Sequence, residues 1–299
     1  MKNGVLWIVT LCLMGFRAFS SEPPSFEALM GEGSLPLSQQ DEDQVYQLSL
    51  AYEQKIGFLS GAPIGRIPHV LHVIWLGPKE FPRESVANLV SWKTHHPEWQ
   101  FCFWTDDPSR PMPVPGMTKR LVQEYDFGIV APLIALSNNW AEKADMMRYT
   151  ILFNEGGVYA DHDVFCQRSI AKFADRFEFV AACDPSQPHP GIATNLIVNN
   201  STILARPKHP LLGATLERIV KGWNGVQERF PGTDRESTLA RVGLRMLLPF
   251  VEATKEWCQK PDSRDIILPA SYFYSLGRFQ PDALKSLEEH DFVYVIHKG

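Results

Sequence analysis

The sequence predicts an α/β domain whose central sheet is mostly parallel and flanked by helices, with helical additions. Three observations carry this. A short apolar run at residues 69–76 (HVLHVIWL) lies between Pro68 and Gly77. It lacks polar alternation, so it reads as a strand buried on both faces, and such strands belong to parallel sheets. A second run, 99–105 (WQFCFWT), follows after helical spacing at Val86, Leu89 and Val90, giving a right-handed strand–helix–strand unit. Finally, 299 residues with 44% hydrophobic and 21% charged side chains can bury a large core. That excludes a disordered chain, a collagen-like fibre and a disulfide miniprotein. A formal charge of -5 gives no electrostatic reason to expect nucleic acid as a partner.

The elements follow in order. Residues 1–20 read as a signal peptide: Lys2, an apolar run over 5–16, then Ala18 and Ser20 before a cut at Ser21. The run is shorter than the roughly 20 apolar residues that span a bilayer. Secretion or export is therefore expected; the alternative is an uncleaved N-terminal anchor facing a lumen or periplasm. Residues 21–60 form an arm and a helix, with Val45, Leu48, Tyr52, Ile56 and Leu59 on one face and Gly61-Ala62-Pro63 as the stop. Residues 61–299 form the main domain. Beyond its first two strands, a helix is expected over 139–154, ended by Gly156-Gly157 in a left-handed C-cap. A short strand, 158–160, leads into Asp161-His162-Asp163. Further strands are expected at 177–183, 195–198 and 292–296, with helices at 211–221 and 239–257. With Cys12 set aside in the leader, Cys102, Cys166, Cys183 and Cys258 form disulfides or are buried thiols. No CxxC spacing points to structural zinc.

The chemistry gathers around residues 145–163. Alternate residues of an extended segment point the same way, so Asp161 and Asp163 can face one site while His162 points away. Two hard oxygen ligands close together suit Mg²⁺ or Mn²⁺, above all where phosphate oxygens complete the shell. Asp145 and Arg148 lie three apart on one helical face, as an intrahelical ion pair or as a joint ligand-binding pair in which Arg148 forks a phosphate. The Gly156-Gly157 turn carries that helix directly into the DxD strand, so one supersecondary unit can deliver both pairs to one pocket. His72, inside the buried run, reads as a core histidine. Trp75 and Tyr159 either pack in the core or line the pocket.

The segments NWAEKADMMRY (139–149) and NEGGVYADHD (154–163) resemble the DxD sugar-binding region of glycosyltransferase family 32. That family includes yeast-type α-mannosyltransferases, inositol-phosphoceramide mannosyltransferases and α-1,4-galactosyltransferases; clostridial glucosylating toxins have a related core. The run IPHVLHVIWLG (67–77), then Ser91-Trp92, Pro97-Glu98-Trp99 and Trp104-Thr105-Asp106, is similar to the family's opening blocks. The resemblance implies a GT-A-like nucleotide-sugar-binding fold over residues 61–299, a UDP-hexose or GDP-mannose donor, Mn²⁺ or Mg²⁺, and retention of anomeric configuration. It implies that Trp75 stacks on the nucleotide base, and that Asp145 and Arg148 bind donor hydroxyls and diphosphate. Tyr159 would line the pocket, Asp161 would contact ribose, sugar and metal, and Asp163 would ligate the metal. His297, at the end of the last strand, would be a third metal ligand.

The expected activity is metal-dependent transfer of a hexose to a glycan, glycolipid or protein acceptor, with membrane proximity a further expectation. Two alternatives stand beside it: a non-catalytic sugar- or nucleotide-binding relative, and a secreted toxin-like effector glycosyltransferase.

Overall fold

Residues 25–30, 38–184, 189, 191–258, 260, 262–274 and 293–297 are described by a computed structural model. The leader assigned to residues 1–20 lies outside them. No helix among the described residues is long and apolar enough to cross a membrane.

The two apolar runs become β1 (Val70–Trp75) and β2 (Gln100–Thr105), paired in parallel as their patterning requires. Leu71 to Ile74 are all buried. Beside them lie β3 (Thr118–Leu121) and β4 (Gly157–Ala160). A two-stranded ribbon outside the main sheet joins β5 (Val164–Cys166) to β9 (Val295–His297), and the sheet is completed by β6 (Phe179–Cys183), β7 (Val198–Ala205) and β8 (Asp265–Leu268). The strand order is β3-β2-β1-β4-β7-β6-β8. Only β7 runs against its neighbours β4 and β6, so the sheet is mostly parallel, as expected.

The strand expected at 195–198 is displaced. β7 begins at Val198, where the expected strand ended, and continues through Asn199-Asn200-Ser201-Thr202. Polar residues hide this strand from a hydrophobicity reading. They are tolerated because they bond: Ser201 Oγ pairs with Tyr274 OH at 2.7 Å, and Asn199 Nδ2 donates to Asp184 at 3.0 Å.

The helices are α1 (Phe26–Met30), α2 (Gln39–Ile56), α3 (Arg83–His95), α4 (Ala131–Leu136), α5 (Trp140–Glu155), α6 (Ala171–Arg176), α7 (Pro210–Arg229), α8 (Arg235–Val242) and α9 (Leu248–Cys258). The single helix expected over 239–257 is instead α8 and α9 joined by a π-helical turn, Gly243–Leu247. α2 starts at Ser38, whose hydroxyl accepts the Asp41 amide at 3.1 Å. It docks against β8 and α9 through Lys55, whose ammonium donates to Cys258 O, Ser263 Oγ and Asp265 O at 2.7–3.0 Å. All three of its protons are thus used, which permits burial of the charge. The cysteine alternatives resolve to thiols: Cys102, Cys166, Cys183 and Cys258 are free and buried.

The junction from α5 to β4 departs from the expected left-handed cap. Gly156 has φ 69° and ψ -163°, and Gly157 has φ 101°. These lie in positive-φ regions open essentially to glycine, and they turn the chain straight from helix into strand. A Cβ on Gly157 would fall 2.7 Å from Val70 O. The helix end therefore lies directly on β1.

His72 supports this junction. The Trp104 indole, a donor only, reaches His72 Nδ1 at 3.1 Å, so Nε2 carries the proton and donates to Gly156 O at 3.0 Å. A second proton would face the indole N–H. Burial accordingly pushes the imidazole pKa down from 6.5 to about 4. The unfolded chain binds this proton more readily, so the residue's stability contribution is present above pH 6.5 and lost as pH falls towards 4. The loss from this residue should reach about 3 kcal/mol. An NMR titration should show the His72 ring neutral at pH 5; protonation near pH 6.5 would contradict the hydrogen-bond assignment.

Candidate active site at the carboxyl ends of β1 and β4

The DxD segment leaves β4 and is not extended throughout. Residues 162–163 form a turn, closed by Val164 N donating to Asp161 O at 3.2 Å. The two carboxylates still converge, through the turn and not through strand alternation. Helix α3 holds this turn from below. Ser85 Oγ pairs with His162 Nδ1 at 2.8 Å, Asn88 Nδ2 donates to His162 O at 3.0 Å, and Trp92 Nε1 donates to Val164 O at 3.0 Å. His162 is thereby drawn towards α3, away from the two aspartates.

Ribbon β5–β9 places His297 opposite Val164. One oxygen each of Asp161 and Asp163 and one His297 ring nitrogen lie within 4.8 Å of one another. Asp163 Oδ1 is buried and makes no hydrogen bond, and His297 Nε2 stands 3.4 Å from it. A buried carboxylate oxygen without a donor, beside a second carboxylate and an imidazole, matches the hard oxygen and nitrogen donor set of Mn²⁺ or Mg²⁺. Burial opposes the charge on Asp163, but His297 outweighs it and holds the carboxyl below its ordinary pKa.

Arg148 lies behind Asp161. Its Nη2 donates to Asp161 Oδ1 at 2.9 Å and lies 3.0 Å from Asp145 Oδ1; its Nη1 donates to Asn200 O. The guanidinium stacks over Tyr159, 4.2 Å from the ring centre, and Tyr159 OH donates to Asp161 Oδ1 at 2.7 Å. Burial raises the Tyr159 pKa well above 10, which keeps the phenol proton available for that bond. Both terminal nitrogens of Arg148 are therefore engaged within the protein, while its Nε is buried without a hydrogen-bond partner. Asp145 sits deeper and is buried; burial raises its pKa to about 6. Asn200 Nδ2, on the polar stretch of β7, supports it at 3.2 Å.

These groups border a cavity of about 440 Å³, lined by Trp75, Lys79, Trp140, Arg148, Tyr159, Asp161, His162 and Asp163 among others. Trp75 is fixed by its indole N–H to Lys79 O at 2.8 Å and by edge contacts with Phe81 and His162. Of the expected residues, Asp145 is not on the cavity wall. Trp140 was missed. It is exposed on the first turn of α5 and lies against Gly77, where a Cβ would fall 2.7 Å from its ring. The available signal was an aromatic residue directly after a capping asparagine, a position that faces solvent unless a ligand covers it.

Residues 82–180 match the family described as the glycosyltransferase sugar-binding region containing the DXD motif. That match spans about a third of the chain. Within it fall Arg148, Tyr159, Asp161 and Asp163, while Trp75 and His297 lie on either side. The chain is 26% identical over 159 residues to inositol phosphoceramide mannosyltransferase 1 of Schizosaccharomyces pombe, covering 52% of this chain and 44% of that protein. Inositol phosphoceramide mannosyltransferase 3 of the same yeast is 29% identical over 133 residues, 44% of this chain and 33% of its own length. The chain thus spans less than half of each of these relatives. Among solved structures, the UDP-bound glycosyltransferase domain of the YGT toxin aligns with TM-score 0.48 at 10% identity, over 69% of this chain and 80% of that one.

Proposed function

We propose that the chain is a metal-dependent, retaining glycosyltransferase that moves a hexose from UDP-hexose or GDP-mannose to a glycan, glycolipid or protein acceptor. The observation that carries this is the grouping of Asp161, Asp163 and His297, with the two aspartates on the wall of a cavity that Trp75 and Tyr159 also line. Cleaving a sugar–diphosphate bond builds negative charge on the departing phosphate; Asp161, Asp163 and His297 would hold a divalent cation, which would supply neutralising positive charge there. Arg148 and Tyr159 hold Asp161 in place by hydrogen bonds, so no reorganisation is needed as charge develops. Trp75 offers an immobilised edge or face to the base. The departing phosphate oxygen can take the acceptor's proton, so front-face attack requires no separate base. Mannosyltransferase relatives favour GDP-mannose as the first donor to try.

A hydrolysis panel of UDP-glucose, UDP-galactose, UDP-GlcNAc and GDP-mannose with manganese tests the proposal. Cleavage of one donor, abolished by chelation and restored by added manganese, is the expected result. Inertness towards all four, in protein shown by calorimetry to bind manganese, would remove the catalytic reading.

A further inference from the structure

The loop between β1 and α3 forms one side of the cavity, where Leu76, Pro78 and Lys79 lie next to Trp75. Among the described residues, no backbone–backbone hydrogen bond involves residues 77–81. Side chains hold the loop instead, and they come from the segment after β2. Asp106 accepts the Gly77 amide at 3.0 and 3.1 Å. Arg110 donates Nη1 to Lys79 O at 2.6 Å and Nη2 to Gly77 O, while its Nε donates to Thr105 Oγ1 at 2.8 Å. The guanidinium is buried, but each of its nitrogens has an acceptor, and Asp106 lies 3.6 Å away to balance the charge. The segment that carries it is tied in turn to β3: Lys119 Nζ donates to Pro108 O at 2.7 Å and to Arg110 O at 2.6 Å.

Lys79 O accepts a second proton, from Trp75 Nε1 at 2.8 Å. One carbonyl therefore joins a buried guanidinium to an aromatic ring on the cavity wall. We propose that Arg110 is a positioning residue for nucleotide binding, acting through Lys79 O to fix the plane of the Trp75 indole. The proposal rests on the transferase reading, in which Trp75 packs against the base of the donor. The ring contacts of Trp75 with Phe81 and His162 are edge-on, at 5.5 and 4.8 Å, and confine the indole without setting its tilt. The N–H bond sets the tilt, provided that the carbonyl receiving it does not move. A planar fork gripping Gly77 O and Lys79 O together keeps that carbonyl still, and a lysine ammonium cannot reproduce the same geometry.

The test is a double-mutant cycle read by calorimetry with UDP and, separately, GDP, in the presence of manganese. Arg110→Lys and Trp75→Phe are compared with the parent and with the double variant. Phenylalanine keeps an aromatic ring but has no N–H for Lys79 O. The parent should bind at least one nucleotide, and each single variant should bind it about tenfold more weakly. The double variant should be no weaker than Trp75→Phe alone, because Arg110 then has no indole to position. In donor cleavage, Arg110→Lys should raise KM about tenfold and leave kcat within a factor of about three, since a base contact is made equally in ground and transition states. If a melting curve shows that Arg110→Lys does not fold, Thr105→Val replaces it in the cycle. Valine removes the Nε acceptor and should weaken binding about threefold, with no further loss beside Trp75→Phe. Unchanged affinity in the single variants, losses that multiply in the double variant, or a fall in kcat at constant KM overturns the positioning role and leaves the donor site standing. A parent that binds neither UDP nor GDP overturns the positioning role together with the proposed function.

Discussion

Asp163→Asn should reduce metal-supported donor cleavage by 100-fold or more, a loss of roughly 3 kcal/mol of transition-state stabilisation, while the protein still melts within a few degrees of the parent. Asparagine has the same shape, and Asp163 Oδ1 makes no hydrogen bond that the fold depends on. Removing one of two close carboxylates also relieves repulsion with Asp161. The native ion pair with His297 is the opposing cost. Burial lowers the His297 pKa, but Asp163 and its acidic neighbours outweigh it and leave it raised. That contribution is fully present below pH 6.5 and lost as pH rises through the raised value, so the two melts are compared at alkaline pH. Calorimetry should show manganese affinity falling with activity. Retained cleavage with a melting point many degrees lower would make Asp163 structural.

Arg148→Lys should cost both turnover and stability. Lysine keeps the charge but cannot reach Asp145 Oδ1, Asp161 Oδ1 and Asn200 O from one planar group. Breaking a buried pair costs about 3–5 kcal/mol when one partner is removed, and a misplaced ammonium should recover part of that. Turnover should fall about 30- to 1,000-fold as Asp161 loses its orientation. The pH dependence identifies the cause. Asp145 already has its pKa raised to about 6 by burial, and losing the guanidinium raises it further. A raised carboxyl pKa makes the folded state bind the proton more tightly, so this residue's penalty shrinks as pH falls below the raised value. The stability gap between parent and variant, read from urea midpoints, should therefore narrow from pH 7.5 to pH 5. A gap that is constant with pH, or turnover within a factor of three of the parent, would remove Arg148 from the support of Asp161.

The apolar strands β1 and β2, and helix α5 with its cap and glycine stop, were legible because burial on both faces and helical periodicity leave strong local signatures. So was the grouping of Asp161 and Asp163, although the turn at 162–163 and not strand alternation brings them together. The polar strand β7 was misplaced because its Asn199–Thr202 stretch is bonded and not apolar, and composition does not distinguish a bonded asparagine from a loop. The surroundings of Arg148 were not legible for a related reason. Helical spacing puts Asp145 and Arg148 on one face, but only the tertiary fold sets Tyr159, Asp161 and Asn200 around the guanidinium. Ser85 and Asn88, which hold the DxD turn from α3, carry no pattern in the sequence.

The short ribbon joining Val164–Cys166 to Val295–His297 sets a timetable for the site. Asp163 and His297 are 134 residues apart. At ribosomal speeds of about 5–20 residues per second, they are synthesised roughly 7–27 s apart. During that interval a nascent chain can complete β1, β2, α5 and β4 with both aspartates in place but no imidazole beside them. The ribbon is thus a late lock: the cavity wall around Trp75 and Tyr159 can assemble early, whereas the grouping of Asp161, Asp163 and His297 exists only after β9 has paired with β5.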